Sequence, residues 1–199
     1  MKLSAFAEDA LGELVNIGIG HAASALSDLV QCPVALSVPK VEFTEDGIAQ
    51  IRQMGNTDSF SAVAQGFSGH MTGTAILAMP LDSAGRLVTL LLGEGEADVL
   101  DTETPTVLTE VGNIIINSLV GMMLNTVGQS AEIHLPIYVE GDADTLVAGV
   151  PEQHKAGFVI TISFGLAEQE IVGDMLLVTT TDTLPRILED MGVENGVEV

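Results

Sequence analysis

Apolar residues recur at helical spacing between Ser4 and Val30. Phe6, Ala10, Leu11, Leu14 and Ile17 predict an amphipathic helix, with Ser4 as its N-cap. A polar stripe runs beside them, with Asp9, Glu13, Asn16 and Gly20 at i, i+4, i+7 and i+11. Gly12, Gly18 and Gly20 are poor helix formers, each about 1 kcal/mol worse than Ala. Their presence predicts close approach of another helix or of a partner's backbone. The pattern turns β-rich from Val34 to Phe43, with Pro39 inside it. Proline has no N–H for a sheet ladder, so it predicts an edge or a break. Residues 44–59 read as a polar loop. Phe60–Phe67 and Met71–Met79 predict a hairpin turning at Gly69 and His70. Leu81–Leu92 predicts a helix with Asp82 as N-cap and Gly93 as its stop.

The same order then returns. Residues 94–105 are acidic and turn-rich and read as a link. A long helix follows over Thr106–Val127, then a strand over Glu132–Glu140 containing Pro136. Phe158–Gly165 and Gly173–Thr180 predict strands, and Leu184–Met191 a closing helix between Asp182 and Gly192. Gly73, Asp82 and Arg86 align with Gly173, Asp182 and Arg186 at an offset of 100, while the long helices align at 97. This predicts a tandem duplication of about 95 residues. The expected fold class is α/β (α+β): duplicated helix–strands–helix units with pseudo-two-fold symmetry, their helices on one shared, mainly antiparallel sheet. Residues 1–199 form one domain of two repeats, at about 4–95 and 104–195.

Composition narrows the function. Apolar residues make up 47% of the chain but aromatics only 4%, so the core is aliphatic and base stacking is an unpromising way to bind. With 28 acidic and six basic residues the net charge is −22, which repels nucleic acid and anionic membrane surfaces. Cys32 is the single cysteine, which excludes an internal disulfide and a cysteine metal site; it reads as a small buried residue. His21, His70, His134 and His154 lack metal-ligand spacing, so no metal and no cofactor of the chain's own is expected. No phosphate-binding G-x4-G-K-[ST] loop and no G-x-S-x-G elbow is present. Met122 and Met123 read as core. No signal peptide is apparent, and no apolar run approaches about 18 residues without a charge or a turn, so a cytoplasmic globular protein is expected.

The remaining chemistry lies in the polar stripe. Asp9, Glu13 and Asn16 share adjacent turns of one helix face, and Pro39 follows Asn16 by 23 residues. Thr106, Glu110, Asn113 and Pro136 repeat that spacing. One copy carries little weight, since amphipathic helices often show such spacings. Two copies are harder to explain, because surface positions of a duplicated chain drift.

The doubled pattern [D/S]-x3-E-x2-N-x22-P resembles the CheC branch of the CheC/CheX/FliY chemotaxis phosphatases. The likeness extends through N-I-G-x-G-x-A-A-x-A-L at Asn16–Leu26 and E-V-G-N-I-I-x-N-S at Glu110–Ser118. Thr106 departs from the family's Ser or Asp, and His21 stands where an Asn is common. The resemblance implies a phosphatase acting on the aspartyl phosphate of a CheY-type response regulator, which would bring its own Mg²⁺. Asn16 and Asn113 would position the attacking water, through a C=O that accepts and an NH₂ that donates. Glu13 and Glu110 would pair with the regulator's active-site lysine. Asp9 and Thr106 would contact the partner at the rim, and Pro39 and Pro136 would end strands. A docking module for a response regulator or a CheD-type receptor deamidase is the alternative. A FliY-type switch component is a third reading, disfavoured because the chain ends soon after the repeat, in VENGVEV. A monomer is expected, since the duplication already supplies a pseudo-dimer.

Overall fold

The computed structural model describes residues 2–37, 40–44, 59–93, 97–151, 157–166, 170–193 and 197–198. Pro39, His154 and most of the expected 44–59 loop lie outside them. Helix α1 spans Ala5–Val30, and the Ser4 hydroxyl caps it by accepting from Ala7 N at 3.2 Å. Its buried stripe is Ala7, Leu11, Leu14, Val15, Gly18, Ile19, Ala22, Leu26 and Val30. Phe6, expected in that stripe, is 68% exposed, and Ala10 and Ile17 are only half-buried. The reason is phase: successive residues are about 100° apart, and the stripe follows Ala7, Leu11, Leu14 and Gly18 instead. Of the three glycines, Gly18 alone is a close approach. A Cβ there would lie 2.9 Å from both Leu119 Cδ1 and Met123 Cγ, while Gly12 and Gly20 face open space.

Leu119 and Met123 belong to α3 (Ala97–Thr126), which packs along α1. The expected acidic link is therefore helical from Ala97 onward. Pro105 sits inside the helix without ending it. The segment Thr102–Thr126 is also long and apolar enough to cross a membrane, contrary to the sequence expectation. Half of its apolar window is buried inside the protein, with Ile116, Leu119 and Val120 wholly enclosed.

Among the described residues one antiparallel sheet has eight strands: β2 (Ala35–Leu36), β3 (Lys40–Thr44), β4 (Phe60–Gly69), β5 (Gly73–Pro80), β6 (Ala131–Ile133), β7 (Ile137–Gly141), β8 (Gly157–Leu166) and β9 (Ile171–Thr179). The order is β2-β8-β9-β5-β4-β6, with β3 also on β8 and β7 also on β4. A separate short pair joins β1 (Lys2–Leu3) to β10 (Val197–Glu198). The mixed α/β class with a shared antiparallel sheet is as expected.

The two flanks of the sheet correspond in register. Leu36 pairs with Phe164 and Lys40 with Thr161; Ile133 pairs with Phe67 and Ile137 with Ala64. Each residue of the first flank is 97 positions from its counterpart in the second. The second flank breaks over residues 134–136, so the single strand expected over Glu132–Glu140 is two. The hairpins match as well. Gly73 faces Phe67 and Gly173 faces Phe164 across their ladders, and a Cβ on either glycine would overlap the phenyl ring, 2.6 and 2.3 Å from its Cζ.

Helices α1, α3, α2 (Leu81–Leu92) and α5 (Thr183–Asp190) cover one face of the sheet. Strand alternation sends Val63, Phe67, Leu77, Met175 and Leu177 toward them. The opposite face carries Phe60, Ala62, Ile76, Leu176 and Val178, covered by Leu146 and Val150. Leu146 lies on α4 (Ala143–Gly149), an element the sequence pattern did not predict. Asp142 starts it, accepting from the N–H and hydroxyl of Thr145 at 2.9 and 2.7 Å, bonds that hold its carboxyl below the usual range. Helix α2 has Pro80, not Asp82, at its N-cap; Asp82 sits in the first turn. Gly93 takes φ +84° there and donates its N–H to Thr89 O at 2.8 Å. Cys32 is half-buried, Met123 is core and Met122 is half-buried.

Candidate functional site

On α1 the residues Asp9, Glu13, Asn16 and Gly20 lie opposite the buried stripe and are all exposed. Asn16 makes no hydrogen bond to a described residue. His21 is also exposed. On α3, Thr106 and Glu110 are exposed, while Asn113 is half-buried. The α1–α3 contact puts the two carboxylate–amide pairs on neighbouring helices, both on the layer that covers the sheet.

The copies differ at the asparagine. Asn113 Oδ1 accepts from Gln65 Nε2 and from Asn117 Nδ2, each at 2.9 Å. Both lone pairs of that oxygen are then in use, which leaves the NH₂ as the group Asn113 can offer. The expected two-way role, with C=O accepting and NH₂ donating, is open to Asn16 but not to Asn113 as it stands. Gln65 is 1% exposed on β4, in phase with Val63 and Phe67. Its Nε2 also donates to His134 O at 2.8 Å, and its Oε1 is buried without a hydrogen-bond partner. Gln65 went unnoticed in the sequence, though a polar residue in phase with a buried stripe was a usable signal.

Pro136 lies in the break between β6 and β7, next to this cluster. His134 N still donates to Gly66 O at 2.9 Å, and its ring Nε2 meets Ser68 Oγ at 2.9 Å. Beyond the break, the Tyr138 hydroxyl donates to Glu140 at 2.7 Å and meets Ser61 Oγ at 3.1 Å. Burial, and then the Glu140 bond, push its phenol up to about 12.

Comparison with known proteins fits this arrangement. The pattern of the CheC-like family matches residues 6–42, and that of the chemotaxis phosphatase CheX matches residues 61–163, more than half of the chain. The protein belongs to the CheC/CheX family. The CheY-P phosphatase CheC of Bacillus subtilis is 27% identical to it over 179 residues, covering 87% of this chain and 78% of that one. Among solved structures, Thermotoga maritima FliY superposes with a TM-score of 0.69 at 18% identity, over 96% of this chain and 98% of that one. CheX in the CheX–CheY–BeF3–Mg complex of Borrelia burgdorferi superposes with a TM-score of 0.57 at 17% identity, over 83% and 97%. Since the solved FliY chain is matched over nearly all its length, length does not separate this CheC/CheX member from FliY.

Proposed function

We propose that this protein hydrolyses the aspartyl phosphate of a CheY-type response regulator in the cytoplasm. The observation that carries the reading is the pair of Glu-x-x-Asn sets on neighbouring helices, one fully solvent-facing and the other partly so, in a chain of this family. An acyl phosphate is already activated, so the chemistry needs a placed water more than a strong base. The water oxygen bonds to phosphorus as the bond to the regulator's carboxylate oxygen breaks, releasing phosphate and the free Asp. The regulator's own Mg²⁺ would neutralise charge on the phosphoryl oxygens. Glu13 and Glu110 pair with the regulator's lysine and seat the helix in the cleft. Asn16 and Asn113 hold the water in line, and Asp9 and Thr106 add contacts at the rim.

The test is phosphate release from a phosphorylated receiver domain in Mg²⁺. Asn16→Ala with Asn113→Ala should return the rate to the receiver's own, and the single variants should rank the copies. A double variant that keeps the parent rate sinks the mechanism, and a stable complex without turnover would favour a docking module instead.

A further inference from the structure

The amide cluster beneath Asn113 has a sense that chemistry fixes. A backbone carbonyl can only accept, so His134 O requires the NH₂ end of Gln65. The second proton of that NH₂ then points at Asn113, which must answer with Oδ1. Asn117, one turn further along α3, donates to the same oxygen. Asn113 is thereby held with its NH₂ as the free end. The His134 carbonyl is available because the edge strand breaks before Pro136, whose ring nitrogen has no proton for the ladder. This ties Pro136 to Asn113, the two ends of the spaced motif.

Stability alone gives poor reason for an amide here. Gln65 leaves Oε1 buried and unpaired, a state that an apolar side chain would avoid. Among the described residues, the corresponding place of the first flank lacks the device. Ile162 occupies the position of Gln65 in the register, and Gly20 stands in place of Asn117. Ser37 N still donates to Ser163 O at 2.9 Å, as His134 N does to Gly66 O. The backbone hydrogen bond is thus repeated, but among the described residues the amide clamp is present only beneath Asn113.

We infer that Gln65 is a positioning residue of the second site: it locks the Asn113 amide in one sense, NH₂ toward the docked phosphoryl group, with the His134 carbonyl setting that sense. This rests on the phosphatase reading above. The second site would hold its water by donating to the water oxygen, with the water's protons accepted elsewhere in the complex.

Kinetics in an Asn16→Ala background read the second site alone. Adding Gln65→Leu should lower kcat by roughly tenfold, the scale of a misaligned catalytic group, with KM unchanged. Gln65→Glu should be as slow at neutral pH, because a carboxylate cannot donate to His134 O and would draw the Asn113 NH₂ inward. Its kcat relative to the N16A protein should recover on acidification, as the protonated acid regains a donor. A merely structural role would move melting temperature and KM without that pH-dependent recovery. If Gln65→Leu fails to fold, Gln65→Met serves in its place.

Amide-proton exchange by NMR tests the clamp apart from activity. Both Gln65 side-chain protons should exchange slowly, and Asn113→Ala should speed one of them; exchange of both at the free-amide rate overturns the clamp. If the double asparagine variant is inactive but N16A/Q65L turns over like N16A, the Gln65 role fails and the phosphatase reading stands. If the double variant stays active, that reading fails, and with it the role of Gln65 in catalysis.

Discussion

Asn16 stands on the outer face of α1 with no hydrogen bond to a described residue, whereas Asn113 is half-buried and held by Gln65 and Asn117. The two residues share a motif position and differ in preparation. A free amide keeps both its C=O and its NH₂ for a water, but it must be ordered when the partner docks, which costs about 0.5–1.5 kcal/mol for a mobile side chain. A clamped amide meets that cost on folding and loses its C=O in exchange. Two copies of one motif therefore need not work at one rate or by one hydrogen-bond pattern. The first favours versatility, the second a fixed aim.

The largest expected effect comes from a change that should disturb both sites at once. In Gly18→Val the new Cβ would crowd Leu119 Cδ1 and Met123 Cγ at 2.9 Å and Leu119 O at 3.0 Å. Overpacking of this kind costs about 1–3 kcal/mol. Chemical denaturation should show that loss, and turnover should fall alike in N16A and N113A backgrounds. A drop confined to one background would mean that the α1–α3 spacing does not couple the copies.

A smaller effect should make the first site resemble the second. Gly20 faces open space at the place of Asn117, so Gly20→Asn can supply Asn16 with a donor one turn away. Replacing a helical Gly should also add a few tenths of a kcal/mol of stability. In an N113A background kcat/KM should rise, by less than about threefold, as the amide is ordered in advance. A fall would show that the first site needs its carbonyl free.

The smallest effect at neutral pH belongs to Tyr138, whose register counterpart on the first flank is Val41. With the folded phenol raised from 10.0 to about 12, the unfolded chain loses its proton first. The resulting stability is complete below about pH 10 and is lost as pH rises through the folded value. Tyr138→Phe should remove that alkaline decline. Tyr138 is the chain's single tyrosine, so phenolate absorbance reads it directly; a midpoint near 10 would contradict the burial and the Glu140 bond.

The long helices, the hairpins and the doubled polar stripe were legible in the sequence because each is a local periodicity. The start of α3 was not, because Pro105 and its acidic neighbours read as punctuation, whereas the helix runs through Pro105 and loses only the ladder bond that its missing N–H would have made. Helix α4 was missed because seven residues between Asp142 and Val150 give too short a pattern to register. The misplaced Phe6 shows how a shift of one position turns a helix face. Gln65 is the instructive omission at the site. Its partners Asn113 and His134 are 48 and 69 residues away, a relation that no local pattern encodes.

Pro105 has a consequence for how α3 opens. Without an N–H it cannot bond to the carbonyl four residues back, so the ladder is weakest where residues 97–104 join the rest. Thr106 is the next residue, and Glu110 and Asn113 follow within about two turns. The first turns of α3 can therefore fray as a separate unit while the turns bearing the second motif stay closed against the core. Pro105 acts as a firebreak, confining local opening to the turns that precede the second motif.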